Sequence, residues 1–504
     1  MNYMREKYIL SIDIGTSSCK VILFNSSGSI IQTCSKEHRT FFKKNGGVEQ
    51  DPDEWWTGIC HAVKGVMESV SVRAGEIEVI GVDSQSSSMI PMDRAGNVLY
   101  PSMIWTDRRA SEEKRWVDDN IGQETITRIN GNHNDESNVA LKLMWLKKNE
   151  PDIYKKADVI LNAAGYLVYR LTGQFTCNIS EGGLTQMFDT KNGIWSDELI
   201  RGCGLDRGKL PDILQCYETA GRLTGEAACG LGLAEGIPVT AGSMDAVACA
   251  LGCGVVENGD SYITGGTVTA LGICSDRPVG NDSVHVYHHI VPGTWCNMAG
   301  VDFGGGNFRW YRDQFMQGYS EAEVYDRMNS LAAAVPAGAD KLLFLPTLVG
   351  QRCPQWDSTT RGMYLGITPE HTQGHFIRAL MEGNAFAIRE ILELEKEAGA
   401  VCSQIAIAGG IARSDLWMRI FSDVLGIPLY RTECEEAAAV GNMYTAAYGV
   451  GMISSFKEVK ERIAAKKIER DESNSRVYEK LYPVYKTLYP TATKQFQMLA
   501  DLDV

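Results

Sequence analysis

Long apolar runs, paired cysteines and an excess of positive charge are all missing from this sequence of 504 residues. No apolar stretch approaches the roughly 20 residues that a membrane-spanning helix needs. The 14 cysteines are scattered without a CxxC pair, which favours reduced thiols over a disulfide framework. A net charge of −14 disfavours nucleic acid and anionic membrane surfaces as partners. The polar segment Met1 to Lys7 leads directly into a predicted strand, so we expect no signal peptide and a cytoplasmic protein.

The length and composition indicate a globular protein with more than one domain. A chain of 504 residues exceeds what a single hydrophobic core organises, so we expect two large domains. The hydrophobic content of 44% and the charged content of 22% are ordinary for such a protein. Strands and helices alternate along the first half, which predicts an α/β fold.

A turn rich in glycine and hydroxyl residues joins two predicted strands near the N-terminus. Tyr8 to Asp13 forms the first strand and Val21 to Phe24 the second. Backbone N–H groups of such a turn, together with the hydroxyls of Thr16 and Ser17, can bind phosphate oxygens. Asp13, at the end of the strand, can hold Mg²⁺ directly or through water. An ordinary hairpin turn explains the same residues, and a second copy is needed to decide.

The second half of the chain contains such a copy. Ser261 to Ile273 repeats the strand, turn and strand, with Gly266-Thr267 in the place of Gly15-Thr16. The two turns lie about half the chain apart, which indicates a duplicated fold with two phosphate-binding hairpins facing one cleft. We place the domain boundary between residues 255 and 256.

Asp245 is the candidate catalytic residue. A β-prone run from Ile237 to Ala241 breaks at Gly242-Ser243, and small residues then continue as a predicted helix to Gly252. A carboxylate near a helix N-terminus stays ionised easily and can accept a proton from a bound hydroxyl. The alternative is a plain helix N-cap, a position where aspartate is common.

Two polar clusters follow predicted strands in the first half. Ile77 to Asp83 leads into Gln85-Ser86-Ser87, and the segment Met103 to Arg109 carries Trp105 and Asp107. Polar clusters at strand ends are typical ligand-contact positions in α/β sheets. Both clusters are therefore candidate substrate sites.

Four further segments have clear local patterns. We predict helices from Asp51 to Val70 and from about Thr372 to Ala398. Ile405 to Ser414 predicts a strand, a turn at Gly409-Gly410 and a helix start, where bare backbone can approach a flat adenine or a ribose. Lys457 to Arg476 predicts a charged, solvated helical region.

Taken together, these motifs resemble the FGGY family of carbohydrate kinases over nearly the whole chain. Asp13 to Ser18 is similar to the first phosphate motif of the family, Gly362 to Glu382 to its C-terminal signature and Ala408 to Ser414 to its adenosine motif. The resemblance implies two actin-like (ribonuclease-H-like) α/β domains, with a sugar, ATP and Mg²⁺ bound in the cleft between them. It implies a sugar side in residues 1–255 and a nucleotide side in residues 256–504.

The resemblance also implies roles for single residues. Asp245 corresponds to the general base of the family and Asp13 to the carboxylate that handles Mg²⁺. Independently of the resemblance, Asp107 is the next candidate base if Asp245 is only a helix cap. The positions similar to phosphate and nucleotide contacts are Thr16, Ser17, Gly266, Thr267, Gly305, Arg309, Gly409, Gly410 and Ser414. The positions on the sugar side are Gln85, Ser86, Ser87, Trp105 and Asp107.

Within the family, the best overall likeness is to xylulokinases, which have segments similar to Val48–Trp56 and Phe344–Pro346. Xylulokinases carry Met-His where this chain has Ser86-Ser87, and glycerol kinases carry Arg-Glu, so glycerol is disfavoured. We expect ATP-dependent phosphorylation of a primary hydroxyl of a small ketose, best D-xylulose to D-xylulose 5-phosphate.

Two alternatives stay open. One is a kinase for gluconate or another sugar acid, polyol or linear keto-sugar, in which Arg108 and Arg109 bind a carboxylate. The other is a non-enzymatic, actin-like nucleotide-binding protein. We expect a small sugar and ATP as partners, no nucleic acid and no membrane, and we allow for a homodimer.

Overall fold

A computed structural model of the protein describes residues 6–280, 282–432, 434 and 436–502. The described residues divide between two compact units. The first unit comprises Met1–Val256, Asp276–Cys296 and Glu436–Arg462, and the second comprises Glu257–Ser275, Asn297–Glu435 and Ile463–Val504. The expected boundary between residues 255 and 256 follows sequence order alone, whereas the first unit also takes in two later segments.

The sheet of the first unit is built on the predicted first hairpin. Tyr8–Ile14 pairs antiparallel with Ser18–Asn25 and parallel with Ile77–Ser84. In spatial order the strands are Thr219–Arg222, Pro238–Thr240, Ile77–Ser84, Tyr8–Ile14, Ser18–Asn25 and Ile30–Glu37, and Ser243–Met244 also pairs with Ile77–Ser84. The inner strands are apolar on both faces, because helices cover them, and Ile9, Leu10 and Ile12 are all buried.

Helices of the first unit begin where capping residues predict. Asp51 caps the helix Pro52–Glu68, accepting a hydrogen bond from Asp53 N at 2.9 Å, which confirms the predicted start. The other helices are Ser111–Asn120, Gln123–Asn130, Val139–Asn149, Pro151–Lys156, Ala163–Thr172, Gly182–Thr185, Asp197–Gly202, Gly225–Leu231, Asp245–Gly252, Ala437–Gly449 and Lys457–Arg462. Short strands are Phe41–Phe42, Val48–Gln50, Ile90–Met92, Ser102–Met103, Val159–Leu161, Thr176–Asn178, Phe188–Asp189, Ile194–Trp195, Asp212–Leu214 and His285–His288.

The helix that begins at Asp245 is held by a close helix crossing. It packs against Ala437–Gly449, which itself packs on the strands Tyr8–Ile14 and Ile77–Ser84. A Cβ atom on Gly441 would lie only 1.8 Å from Ala248 O, so the two helices can approach this closely only with glycine at that position. The crossing fixes the helix that carries the candidate base.

The sheet of the second unit grows from the second hairpin. Asp260–Gly265 pairs antiparallel with Thr269–Ser275 and parallel with Gln404–Gly409. In spatial order the strands are Trp295–Val301, Thr269–Ser275, Asp260–Gly265, Gln404–Gly409, Leu429–Thr432 and Ala465–Ile468. The hairpin predicted from the Gly-Thr repeat is therefore confirmed.

The long helix predicted in the second unit is also confirmed. It runs over Gln373–Glu397, with Thr372 and Ala398 at its caps. The other helices are Gly304–Phe315, Glu321–Ala333, Asp415–Leu425, Glu472–Tyr485 and Leu488–Ala500, and the short strands are Leu343–Leu345 and Met363–Leu365. None of the helices in the described part of the chain combines the length and apolar character that crossing a bilayer requires.

The prediction of a helical region from Lys457 to Arg476 is wrong in its middle. Ala465–Ile468 is a strand that pairs antiparallel with Leu429–Thr432. Its charged residues, such as Lys466 and Lys467, resemble those of a solvated helix, but charged side chains, especially lysine, are also usual on the edge strand of a sheet.

Candidate active site

The first hairpin presents its predicted phosphate residues at a turn. Gly15 N donates to Ser18 O at 3.0 Å and closes this turn. Ser17 is exposed, whereas Thr16 is half-buried and its Oγ1 accepts a hydrogen bond of 3.0 Å from Trp105 Nε1. A residue predicted for the sugar side therefore contacts a residue predicted for the phosphate side.

Asp13 lies near the end of the strand Tyr8–Ile14 among charged neighbours. The strand register sets it beside Lys20 on one side and Asp83 on the other. Burial raises the pKa of Asp13 to about 7; the charge of Asp245 adds to this rise and Lys20 opposes it. Asp13 Oδ1 is buried and has no hydrogen-bond partner in the part of the chain that the structure describes.

Asp83 is a buried carboxyl that no motif singled out. Its Oδ1 accepts a hydrogen bond from Asn442 Nδ2 at 2.7 Å. Burial, together with the charges of Asp13 and Asp245, raises the pKa of Asp83 well above its usual range. One signal in the sequence could have indicated Asp83. Like Asp13, it lies near the end of a predicted buried strand.

Asp245 is the first residue of its helix, and Met244 occupies the N-cap position. The plain N-cap alternative therefore does not describe Asp245. Its Oδ1 accepts a hydrogen bond from Ala246 N at 2.7 Å. Burial outweighs this bond and raises the pKa of Asp245 to about 6, although we expected a helix N-terminus to keep it easily ionised. A carboxylate with this pKa is ionised at neutral pH and suited to hold a proton, as a general base must.

The Gln85-Ser86-Ser87 turn follows the strand Ile77–Ser84. Gln85 is buried, and its Nε2 donates to Gln50 Oε1 at 2.8 Å. Ser86 is half-buried, and Ser87 is buried with a φ of 53°. The turn thus carries only neutral polar groups.

Asp107 and Arg109 form a buried ion pair. Arg109 Nη2 lies 2.7 Å from Asp107 Oδ2 and 2.8 Å from Glu49 Oε1, and the Arg109 side chain is 2% exposed. Asp107 Oδ2 also accepts a hydrogen bond from Val48 N at 2.6 Å. These contacts give Asp107 a structural role. They argue against its expected roles as a substrate contact and as the next candidate base. They likewise argue against Arg109 as a carboxylate ligand.

A cavity of about 400 Å³ lies beside the second hairpin. Ligand sites typically have volumes of about 300–1,000 Å³. The predicted nucleotide residues that line it are Gly266, Gly305, Arg309, Gly410 and Ser414. The structure therefore brings together residues that are widely separated in the sequence.

The turn of the second hairpin is held by a cation and by close backbone packing. Arg309 Nη2 donates to Thr267 Oγ1 at 2.7 Å, and both residues are exposed. A Cβ atom on Gly305 would lie 1.9 Å from Gly266 O, so any side chain there would push the helix Gly304–Phe315 away from the turn. A guanidinium beside an open turn suits a phosphate group.

The predicted strand and Gly-Gly turn near Gly409 are confirmed. The strand Gln404–Gly409 sets Gly409 beside Gly265 in parallel register. Ser414 then caps the helix Asp415–Leu425, and its hydroxyl donates to Asn329 Oδ1 at 2.6 Å.

The cavity has further lining residues that the motifs did not indicate. Phe308 and Trp417 contribute rings whose centroids are 4.9 Å apart, and each lies three residues after a motif position. Tyr325, Asp326 and Asn329 come from the helix Glu321–Ala333, whose sequence contains no motif. Proximity to a motif could have indicated the first two residues, whereas only the fold brings in the other three.

The sequence profiles of known families identify the chain. The N-terminal domain of the FGGY family of carbohydrate kinases matches residues 8–252, and the C-terminal domain of that family matches residues 261–450. The chain belongs to the FGGY family of carbohydrate kinases.

Individual relatives agree with this assignment. The chain is 29% identical to a xylulose kinase of Staphylococcus epidermidis, over 99% of both chains. It is 26% identical to a gluconokinase of Bacillus subtilis, over 98% of both chains. The crystal structure of a xylulose kinase from Rhodospirillum rubrum has a TM-score of 0.91 at 26% identity, covering 97% of this chain and 100% of that one.

These matches confirm the predicted two-domain, actin-like α/β fold and the predicted sugar kinase with ATP as a substrate. The non-enzymatic alternative is thereby set aside. Because the chain is similar to both a xylulose kinase and a gluconokinase, these matches do not identify the sugar, and the choice of substrate depends on the geometry of the site.

Proposed function

We propose that this FGGY kinase phosphorylates a primary hydroxyl of a small open-chain ketose, with D-xylulose to D-xylulose 5-phosphate as the leading reaction. Asp245 takes the proton of the attacking sugar hydroxyl while the oxygen of that hydroxyl forms a bond to the γ-phosphorus of ATP. The bond from that phosphorus to the bridging oxygen breaks, and ADP leaves. Binding of the sugar by the first unit and of the nucleotide by the second is part of this proposal.

The two hairpins and Arg309 are the groups that we propose stabilise the negative charge of the phosphates. Phosphoryl transfer depends mainly on positioning and electrostatic stabilisation. Turn N–H groups and the hydroxyls of Thr16 and Thr267 offer donors, and Arg309 offers a positive charge. These groups match a reaction that needs little covalent catalysis.

Asp13 is the residue we propose to hold Mg²⁺. Its buried, unpartnered Oδ1 suits a hard cation. Among the described residues, no group of three or more His, Cys, Asp or Glu side chains forms a metal cluster. Magnesium usually binds through one or two carboxylates together with substrate phosphates and water, so this single carboxylate is compatible with it. When bound, Mg²⁺ supplies positive charge that neutralises the transferring phosphoryl group.

The observation that carries the choice of a neutral sugar is the pairing of both arginines near the substrate turns. Arg109 is bound to Asp107 and Glu49, and Arg108 Nη1 lies 2.7 Å from Asp135 Oδ1. A sugar acid needs a cation for its carboxylate. Because both guanidinium groups already have carboxylate partners, the site favours a neutral ketose. The likeness to xylulose kinases supports the same choice.

Gluconate is the second candidate, supported by the match to a gluconokinase over 98% of both chains. A coupled assay of ADP release with D-xylulose, gluconate and glycerol separates the candidates. We expect D-xylulose to be turned over best and glycerol poorly, because a site that hydrogen-bonds substrate hydroxyls discriminates strongly against analogues lacking them. A higher kcat/KM for gluconate than for D-xylulose would reverse our choice.

The homodimer and the cytoplasmic location stay predictions. Light scattering during size-exclusion chromatography measures the mass of the assembly directly. A mass equal to that of one chain would rule out a stable dimer under those conditions.

A further inference from the structure

Ser87, one of the predicted sugar-side residues, has a strained backbone. Its φ of 53° lies in the left-handed region, which residues other than glycine seldom adopt. Strain of this kind persists only where the surrounding structure enforces it, and it concentrates at ligand-binding positions.

Two buried ionisable side chains hold the two ends of this residue. Lys142 Nζ donates to Ser87 O at 2.6 Å, and Ser87 N donates to Glu181 Oε2 at 3.3 Å. Lys142 is 0% exposed and Glu181 is 1% exposed. The conformation of Ser87 is therefore fixed from both sides of its backbone.

Lys142 also fixes the second substrate segment. Its Nζ donates to Ile104 O at 2.8 Å and contacts Met103 O at 3.4 Å. Ile104 directly precedes Trp105, whose ring nitrogen contacts Thr16. A single ammonium group thus joins the Ser86-Ser87 turn to the segment that carries Trp105.

Packing alone does not explain a lysine at this position. Its neighbours in the helix Val139–Asn149 include the buried Leu141 and Leu143. Burial lowers the pKa of Lys142 to about 7, which shows how unfavourable the charge is there. A methionine could fill similar space without that cost, so the hydrogen bonds to the two turns are the feature that only lysine supplies.

We propose that Lys142 and Glu181 are positioning residues that set the sugar specificity of this kinase by fixing the Ser86-Ser87 turn relative to Trp105. The inference rests on the proposed function, since it assumes that these turns bind the sugar. The ligand it implies is a small, neutral, polyhydroxylated chain, because the turn offers hydroxyl and amide groups. Neither residue contacts the reacting atoms in this proposal.

Lys142→Met is the main test, because it keeps the approximate volume and removes every donor. We expect the KM for D-xylulose to rise about tenfold or more and the preference for D-xylulose over glycerol to narrow. The KM for ATP should stay within about twofold, since the nucleotide cavity lies in the second unit. A purely structural role would leave both the sugar KM and the preference unchanged in the folded fraction.

Glu181 provides a conservative rescue. Glu181→Gln keeps an acceptor oxygen for Ser87 N, so its KM for the sugar should stay within about threefold of the wild type. Glu181→Ala removes the acceptor, so its KM for the sugar should rise as in Lys142→Met. Equal behaviour of the Gln and Ala variants would contradict a positioning role through that hydrogen bond.

Leu143→Ala is the matched control for lost stability. Leu143 is fully buried on the same helix, so the variant should melt at a lower temperature while keeping both KM values. A Lys142→Met protein that behaves like this control overturns the inference. If the Met variant is insoluble, Lys142→Gln, which keeps one donor group, is measured against the same control and decides by the same comparison.

Calorimetric binding of D-xylulose without ATP separates failure of this inference from failure of the proposed function. A wild-type protein that binds the ketose but does not phosphorylate it would defeat the proposed function. The ratio of ketose affinities between the wild type and Lys142→Met would then decide the positioning role. A wild type that binds no sugar of the panel overturns both.

Discussion

The two hairpins have the same strand pairing in their sheets but carry side chains of different charge. In each unit the first strand of the hairpin pairs antiparallel with the second and parallel with a later strand. The parallel partner of Asp13 is Asp83, whereas the corresponding Thr264 has Ala408 as its partner. One scaffold thus carries two carboxyls and the other carries small neutral residues at matching positions.

The turn threonines differ in the same way. Thr16 accepts a hydrogen bond from the neutral indole of Trp105, and Thr267 accepts one from the guanidinium of Arg309. The second hairpin also borders an open cavity. This contrast fits the proposed division of roles, in which the first unit supplies the base and the magnesium ligand and the second unit binds the anionic nucleotide.

The largest expected effect comes from removing Asp245, the proposed base of the first unit. Asp245→Asn keeps the shape of the side chain but cannot take a proton, so kcat should fall by about 10²- to 10⁴-fold. Affinity for ATP should stay nearly unchanged, because the cavity is in the other unit. Steady-state kinetics with D-xylulose, together with calorimetric titration of ATP, measure both quantities.

The Asn variant must first be shown to be folded by circular dichroism. Near-normal turnover in a folded variant that binds ATP would remove Asp245 from the mechanism. A large loss of ATP affinity would instead break the division of labour between the two units.

Gly305→Ala is the reciprocal test in the second unit. Its Cβ atom would lie 1.9 Å from Gly266 O, and overpacking of this kind costs about 1–3 kcal/mol. We expect the KM for ATP to rise about 5- to 150-fold, while the affinity for the sugar without ATP is kept. Gly75→Ala is the control, because no atom of the described residues lies within 4 Å of its added Cβ atom. An unchanged KM for ATP would show that the helix start does not shape the nucleotide site.

Local signals were sufficient to predict the elements that carry these sites. The Asp51 cap, the Gly-Thr turns and the apolar strands before them act within a few residues, so the sequence alone indicates them. The strand Ala465–Ile468 was missed because its identity depends on a distant partner strand, whereas its own residues are charged.

The candidate site divides along the same line. Asp13 and Asp245 lie in motifs, so the sequence alone makes them candidates, but Lys142 and Glu181 become candidates only through burial and contacts 55 and 94 residues away. The sequence could not indicate the buried ion pair of Asp107, because a polar cluster after a strand does not reveal that Arg109 will neutralise the carboxylate internally. Ion pairing of buried groups is a tertiary property that spacing does not encode.

The pH dependence of activity tests the first unit alone. Asp245 must be ionised to act as a base, so activity should fall as the pH drops through its pKa of about 6. At pH 5, kcat/KM should be about one-tenth of its plateau value. The charge of Asp245 also raises the pKa values of the carboxyls of Asp13, Asp83 and Glu181, so the profile reports a coupled titration of these groups.

Measurements of kcat/KM for D-xylulose from pH 5 to 8 give this profile, with circular dichroism confirming the fold at each pH. The residual activity of Asp245→Asn should lack the part of the decline centred near pH 6, and a fall that remains near pH 7 would come from Asp13, the proposed magnesium ligand. A wild-type profile that stays flat down to pH 5 would contradict the raised pKa of the base, and ATP binding that falls in parallel would place the titrating group elsewhere.

The smallest expected effect concerns the hydrogen bond between Trp105 and Thr16. Trp105→Phe keeps an aromatic ring but removes the donor that lies 3.0 Å from Thr16 Oγ1. A neutral hydrogen bond contributes about 0.5–1.5 kcal/mol, so kcat/KM for the sugar should fall about two- to tenfold. Thr16→Val removes the other partner, and the increase in activation free energy in the double variant should be smaller than the sum of the two single increases by about 1 kcal/mol.

The matched pair in the second unit, Arg309 and Thr267, should couple more strongly, since bonds to charged groups contribute about 1.5–3 kcal/mol. Strict additivity for Trp105 and Thr16 would show that the indole does not support the first turn, and equal coupling in the two units would remove the contrast between a neutral and a cationic hairpin.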